Sequence, residues 1–212
     1  MGRRGYRPRK TNKTHPIKPR RFVVIVCEGA KTETQYFNGF NERNSGVKIV
    51  PLYENCNGPK SIVESAEKQI DKYDLNLDEG DGLWCAFDVD ENTNDMIAYA
   101  VKIADENNIR IALSNPCIEL WFLLHYPWSY NWTLTRKEAF KELKGFIKDY
   151  DKNYPEIYSM LKDKLPTAIE NAKKLDRIHE KNNIKLISVE STPSSQVFKL
   201  IESIQELKRS KN

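Results

Sequence analysis

Three carboxylates stand where buried strands run out: Glu28 after "FVVIVC" (22–27), and Asp88 with Asp90 in "AFDVDE" (86–91). Acids gathered at such places repel one another and resist desolvation unless they are protonated or bridged by a cation. A hard divalent ion with oxygen ligands meets that need, Mg²⁺ first and Mn²⁺ second. Such an ion polarises a phosphodiester, stabilises a leaving oxygen and lowers the pKa of bound water, while a neighbouring carboxylate moves the proton. The expected chemistry is phosphoryl transfer. Glu28, separated from the aspartates in sequence, is the expected acid or base and a metal contact, and Asp88 and Asp90 are the expected ligands. Glu91 and Glu33 are either outer ligands or solvated charges at helix starts. Gly29 permits a sharp turn, and Lys31 and Thr32 open a helix whose amino end offers N–H groups to a phosphate.

These residues meet only if their strands share an edge. "FVVIVC" has the β-branched composition of a strand buried on both faces, and Thr32-x-x-Gln35 reads as a capping box opening a helix. "VKIVPLY" (47–53) is a second strand, pushed towards an edge by Pro51. Pro59 starts a helix to about residue 73, "GLWCAFDVD" (82–90) is a third strand, a helix follows over about 94–107, and "IRIALS" (109–114) is a fourth strand. This alternation predicts an α/β fold with a mainly parallel four-stranded sheet flanked by helices. Right-handed crossovers place every strand's carboxyl end on one edge, where ligands of open sheets collect. Glu28, Asp88 and Asp90, and Ser114 with Asn115 should then face one crevice, the last two as phosphate contacts.

After Pro116 the pattern turns helical. "CIELWFLLHY" (117–126) reads as a largely buried helix, "PWSYNW" as an aromatic loop, and Thr135-x-x-Glu138 as the start of another helix. A longer helix spans about 165–183, "KLISVES" offers a further strand, and Thr192-Pro193 is the expected start of the last helix. Within the buried segment Glu119 and His125 are the polar exceptions. Each is either a proton-transfer or metal group or a satisfied core residue. The chain divides into a basic arm (1–21), a catalytic core (22–126) and a mostly helical part packed on it (127–212).

Residues 1–21 hold nine Lys or Arg and no acid; removing those nine from the 34 leaves 25 basic against 30 acidic residues, a net charge of −5. An arm rich in Arg, Lys, Pro and Gly, with Arg3, Arg4, Arg20 and Arg21 among its cations, is expected to be disordered alone and to neutralise nucleic-acid phosphates. The alternative is a solvated arm docked on its own body or an acidic partner. The four cysteines show neither C-x-x-C pairs nor zinc spacing, and no apolar run reaches the roughly 18 residues that span a bilayer. A reduced, cytoplasmic protein without a membrane partner is expected.

The order strand-Glu28-Gly29, helix, strand, helix, strand-Asp88-x-Asp90 resembles the Toprim domain of topoisomerases, primases and small nucleases. More narrowly, "VCEGAKTETQYF" (26–37), "AFDVDE" (86–91), "SNPCIELWFLLHY" (114–126) and "STPSSQVFKLIE" (191–202) together resemble the RloB-like family. The resemblance implies that Glu28 is the general acid or base and that Asp88 and Asp90 hold Mg²⁺. Many Toprim sequences carry a third acid where this chain has Asn92, so either Glu91 substitutes or one metal is held less tightly. Val89 is apolar where many relatives are basic. The resemblance further implies a Mg²⁺-dependent nuclease acting in prokaryotic antiviral defence (abortive infection or restriction), beside an ATPase of the ABC or SMC type. Two other readings stay open: a small nuclease that processes ribosomal or transfer RNA, and a non-catalytic subunit that binds nucleic acid or the ATPase.

Overall fold

The computed structural model describes residues 21–89, 92–127, 129 and 131–210. Arg3, Arg4, Arg20, Asp90 and Glu91 lie outside the described residues.

Strand β1 (Arg21–Cys27) carries the run Val23-Val24-Ile25-Val26-Cys27, every member of which is fully buried. Such a run suits a strand covered on both faces, and β1 is an interior strand of the sheet. β2 (Val47–Tyr53), β3 (Gly82–Asp88) and β4 (Arg110–Asn115) run parallel with it in the order β2–β1–β3–β4. Pro51 sits on the edge strand β2, where the proline costs no ladder bond on the open side.

The sheet has five strands rather than the expected four. β5 (Ser194–Ser195) pairs antiparallel with Ser114 and Asn115 and so covers the carboxyl end of what would have been the open edge of β4. "KLISVES" forms no strand, since a single 3₁₀ turn spans Val189–Ser191. Nor do Thr192 and Pro193 start a helix: they lead into β5, and α8 begins only at Val197. Local start signals lose here to a tertiary requirement. The backbone of Gln196 donates to Leu113 O at 2.8 Å, continuing the capture of this segment by β4.

Side-chain alternation splits the core into two layers. Val23, Ile25, Cys27, Trp84, Ala86 and Ala112 face one, and Val24, Val26, Leu83, Cys85, Phe87 and Leu113 the other. The second layer is covered by α2 (Pro59–Tyr73) and α3 (Asn94–Glu106). The first is covered by α1 (Thr32–Asn38), α4 (Ile118–Leu123), α5 (Arg136–Phe146), α6 (Ile157–Leu161), α7 (Leu165–Lys181) and α8 (Val197–Arg209). The segment after residue 126 therefore shares the core of the sheet. Among the described residues no helix is long and apolar enough to cross a membrane.

Strand order fixes where a site can form. The chain leaves β1 for β2 on one side and returns to place β3 on the other. Diverging connections open a crevice beyond the carboxyl ends of β1 and β3. Glu28 and Asp88 stand at those two ends.

Candidate active site

Glu28 and Asp88 are joined directly: the backbone N–H of Asp88 donates to Glu28 Oε2 at 3.0 Å, and the backbone N–H of Glu28 donates to Ala86 O at 3.0 Å. The parallel register of β1 and β3 thus brings residues 60 positions apart to one point. Over them lies a cleft of about 380 Å³ lined by Glu28–Glu33, Asp88, Ile118, Glu119, Arg136, Lys152 and Asn153.

Two further carboxyls complete its floor. Glu33 comes from the first turn of α1 and Glu119 from the first turn of α4; they are 6% and 4% exposed, against 8% for Asp88. Gly29 explains how Glu33 fits. A Cβ at position 29 would lie 1.7 Å from Glu33 Oε2, so the acid rests on bare backbone. The glycine serves close approach rather than a left-handed turn, since it is absent from the positive-φ positions.

The electrostatics follow from this crowding. Burial, reinforced by Glu119 and Glu28, pushes the Glu33 carboxyl up to about 7, with Lys152 opposing the rise. Burial and then Glu33 hold the Asp88 carboxyl well above the ordinary aspartate range; Arg136 pulls it back, and Glu119 and Glu28 push it further. Tyr150 donates its hydroxyl to Glu119 Oε1 at 3.1 Å. Burial, followed by Glu119 and Asp88, raises the thiol of Cys117 just below. A floor of acids so crowded resists simultaneous ionisation.

The cations above the floor are Lys31, Arg136 and Lys152. Arg136 reaches down from the start of α5 and places Nη2 2.9 Å from Asp88 Oδ2. A capping box fixes that helix start: Thr135 N–H donates to Glu138 Oε2 at 2.9 Å, and Glu138 N–H to Thr135 Oγ1 at 3.3 Å. With Asp88 held by Arg136 and Glu28 spent partly on a backbone N–H, no three His, Cys, Asp or Glu side chains are already drawn together as metal ligands among the described residues.

The remaining expected contacts lie elsewhere or act differently. Thr32 does not cap α1; its hydroxyl donates to Lys152 O at 2.6 Å and ties α1 to the loop after α5. Ser114 and Asn115 end β4 on the same edge but do not line the cleft. Asn115 Nδ2 donates to Ser188 O at 3.0 Å and Val189 O at 2.9 Å, and Asn115 Oδ1 accepts from Thr192 Oγ1. Ser114 Oγ shares a hydrogen bond with Ser195 Oγ at 3.3 Å.

His125 is buried among the helices and does not line the cleft. Its Nδ1 lies 3.0 Å from Trp121 O, its ring meets that of Trp121 edge-on, and burial lowers its pKa to about 4. Arg21 opens β1 and so stands at the opposite edge of the sheet, beside Gly80.

Sequence reasoning passed over Arg136, Tyr150 and Lys152. Only Arg136 carried a signal: a cation in the first turn of a well-capped helix faces the positive end of the helix dipole, an unfavourable place unless an anion is near. Tyr150 and Lys152 sit in an irregular segment whose return to the sheet edge has no local pattern.

The family model described as RloB-like protein matches residues 23–204. No curated protein matches the chain. No solved structure matches it either.

Proposed function

The chain belongs to the RloB-like protein family, and on that premise we propose that it is a divalent-metal-dependent nuclease with a Toprim-type site at the crevice between β1 and β3. The observation that carries the reading is the convergence of Glu28, Glu33, Asp88 and Glu119 beneath Lys31, Arg136 and Lys152. The buried oxygen-only donor set fits Mg²⁺ or Mn²⁺, with Asp88, Glu28 and Glu33 as the groups that would hold it. An ion held there would supply charge neutralisation and Lewis acidity.

The chain's own residues do the rest. Glu28, the least enclosed of the four acids, takes or returns the proton at its free carboxylate oxygen. Lys31 and Lys152 hold the phosphodiester from the cleft rim. Tyr150 keeps Glu119 oriented through its hydroxyl. An antiviral role beside an ABC- or SMC-type ATPase belongs to this reading through the family resemblance alone.

The test is a pair of measurements on wild type and Asp88→Asn. Mn²⁺ is expected to raise the melting temperature of wild type but not of the variant, and cleavage of tRNA, single-stranded DNA or duplex DNA is expected to vanish in a variant that still folds. Equal metal-induced shifts in the two proteins would sink the site. Undiminished activity of the Asp88→Asn protein in cells would favour a non-catalytic binding subunit instead.

A further inference from the structure

The contact between Arg136 and Asp88 is unusual for what it occupies. Asp88 closes β3 among the acids of the floor, and its Oδ2 is paired with a guanidinium. The pair is asymmetric in burial: the Asp88 side chain is 11% exposed and that of Arg136 38%. The acid belongs to the interior, while the base reaches in from the rim of the cleft. A guanidinium so placed screens the buried acids from one another, the work expected of a metal ion. It also carries a planar fork of donors suited to a phosphate, and it lines the same cleft as Lys31 and Lys152.

We propose that Arg136 is an exchangeable cation: it holds Asp88 while the site lacks metal, yields that carboxylate to the divalent ion, and turns its guanidinium to the substrate phosphate. This rests on the metal-dependent reading above. It accounts for the engagement of Asp88 by Arg136 rather than in a ready set of ligands among the described residues, because Asp88 stays with Arg136 until a stronger cation competes. It also couples the two ligands of the site. A phosphate that takes the guanidinium removes the competitor for Asp88, so metal and nucleic acid each strengthen binding of the other.

The signature is a pair of effects of opposite sign. Removing Arg136 takes a competitor away from the metal and a contact away from the phosphate. By calorimetry on the full-length chain, Arg136→Gln is expected to bind Mn²⁺ about three- to tenfold more tightly than wild type. With Ca²⁺ present, the same variant is expected to bind fluorescent tRNA or duplex DNA about tenfold more weakly. Arg136→Lys, which keeps the charge but not the fork, should retain near-wild-type Mn²⁺ affinity and only part of the nucleic-acid affinity, and it serves as the second variant should Arg136→Gln fold poorly.

A purely structural arginine would weaken both ligands or neither, and either result overturns the proposal. If Mn²⁺ binds wild type and Asp88→Asn alike, or neither, the metal reading itself fails. If Mn²⁺ binding needs Asp88 but is unmoved by Arg136→Gln, only the exchange fails.

Discussion

Two buried polar groups end adjacent strands and are built on opposite principles. Asp88 closes β3 among Glu28, Glu33 and Glu119, with more acceptors than donors and an arginine drawn in from outside. Ser114 and Asn115 close β4 as neutral groups, with the donors and the acceptor of the Asn115 side chain matched to the segment 188–195. The first cluster holds electrostatic repulsion in reserve. The second pairs the backbone at the carboxyl end of β4 and closes that end of the sheet edge. Polar residues at strand ends thus divide into a part left electrostatically unsatisfied by like charges, where the proposed cation would relieve repulsion, and a part satisfied internally, where a ligand would find little to bind.

The largest effect should come from breaking the satisfied side. Asn115→Ala removes the hydrogen bonds of a buried side chain: the carbonyl of Ser188 keeps only its Ser191 donors, the carbonyl of Val189 loses the Asn115 donor, and the hydroxyl of Thr192 loses the Asn115 acceptor and keeps only a long contact with Val189 O. Unmade buried hydrogen bonds cost about 1–3 kcal/mol each, so a loss of about 2–4 kcal/mol is expected. In a chain of this size that is a fall of about 5 to 15 °C in melting temperature. The cleft is untouched, so metal-induced stabilisation should persist. A variant as stable as wild type would mean that the 188–195 segment is not held through Asn115.

Relieving the unsatisfied side should act the other way. The Glu33 carboxyl is raised from 4.5 to about 7 when folded, so between those values the folded chain keeps a proton that the unfolded chain has released. Stability contributed by this group therefore falls as pH rises from about 4.5 to about 7 and stays low above. Without metal, Glu33→Gln is expected to be about 1–3 kcal/mol more stable than wild type at pH 8. The gain should disappear near pH 4. Melting curves across that range check it; a gain that does not vary with pH would remove ionisation of the buried Glu33 carboxyl as its cause.

The division between the two clusters was only half legible in the sequence. The strands were, because "VVIVC" and "LWCAF" are apolar runs bounded by polar residues, and from their alternation with helices the meeting of Glu28 and Asp88 follows. Glu33 was visible as a possible outer acid, but its approach depends on the missing side chain of Gly29, a fit that appears only in three dimensions. Asn115 looked like one more residue at the reactive edge. Nothing near it in sequence shows that residues more than 70 positions later return to take its hydrogen bonds. Tyr150, in the irregular segment after α5, was hidden for the same reason, and the first-turn cation Arg136 hinted at a nearby anion without showing which one, because the docking of α5 on the sheet edge is a long-range result.

The smallest effect discriminates most finely, because Ser114 sits between the two clusters. Its backbone carbonyl accepts from Val89 N at 2.9 Å on the β3 side, while its hydroxyl meets Ser195 on the other. At 3.3 Å the hydroxyl contact is long for an O–H···O bond, so Ser114→Ala should cost about 0.5 kcal/mol, a shift of 1 or 2 °C by the usual scaling. Ser195→Ala should cost about as much, and the double variant no more than either alone, since both remove the same bond. If the hydroxyl belongs to the fastening, none of the three changes nucleic-acid affinity. If it reaches the substrate, Ser114→Ala weakens that affinity and Ser195→Ala does not. A binding loss confined to Ser114→Ala would therefore move the boundary between the unsatisfied and satisfied clusters by one strand.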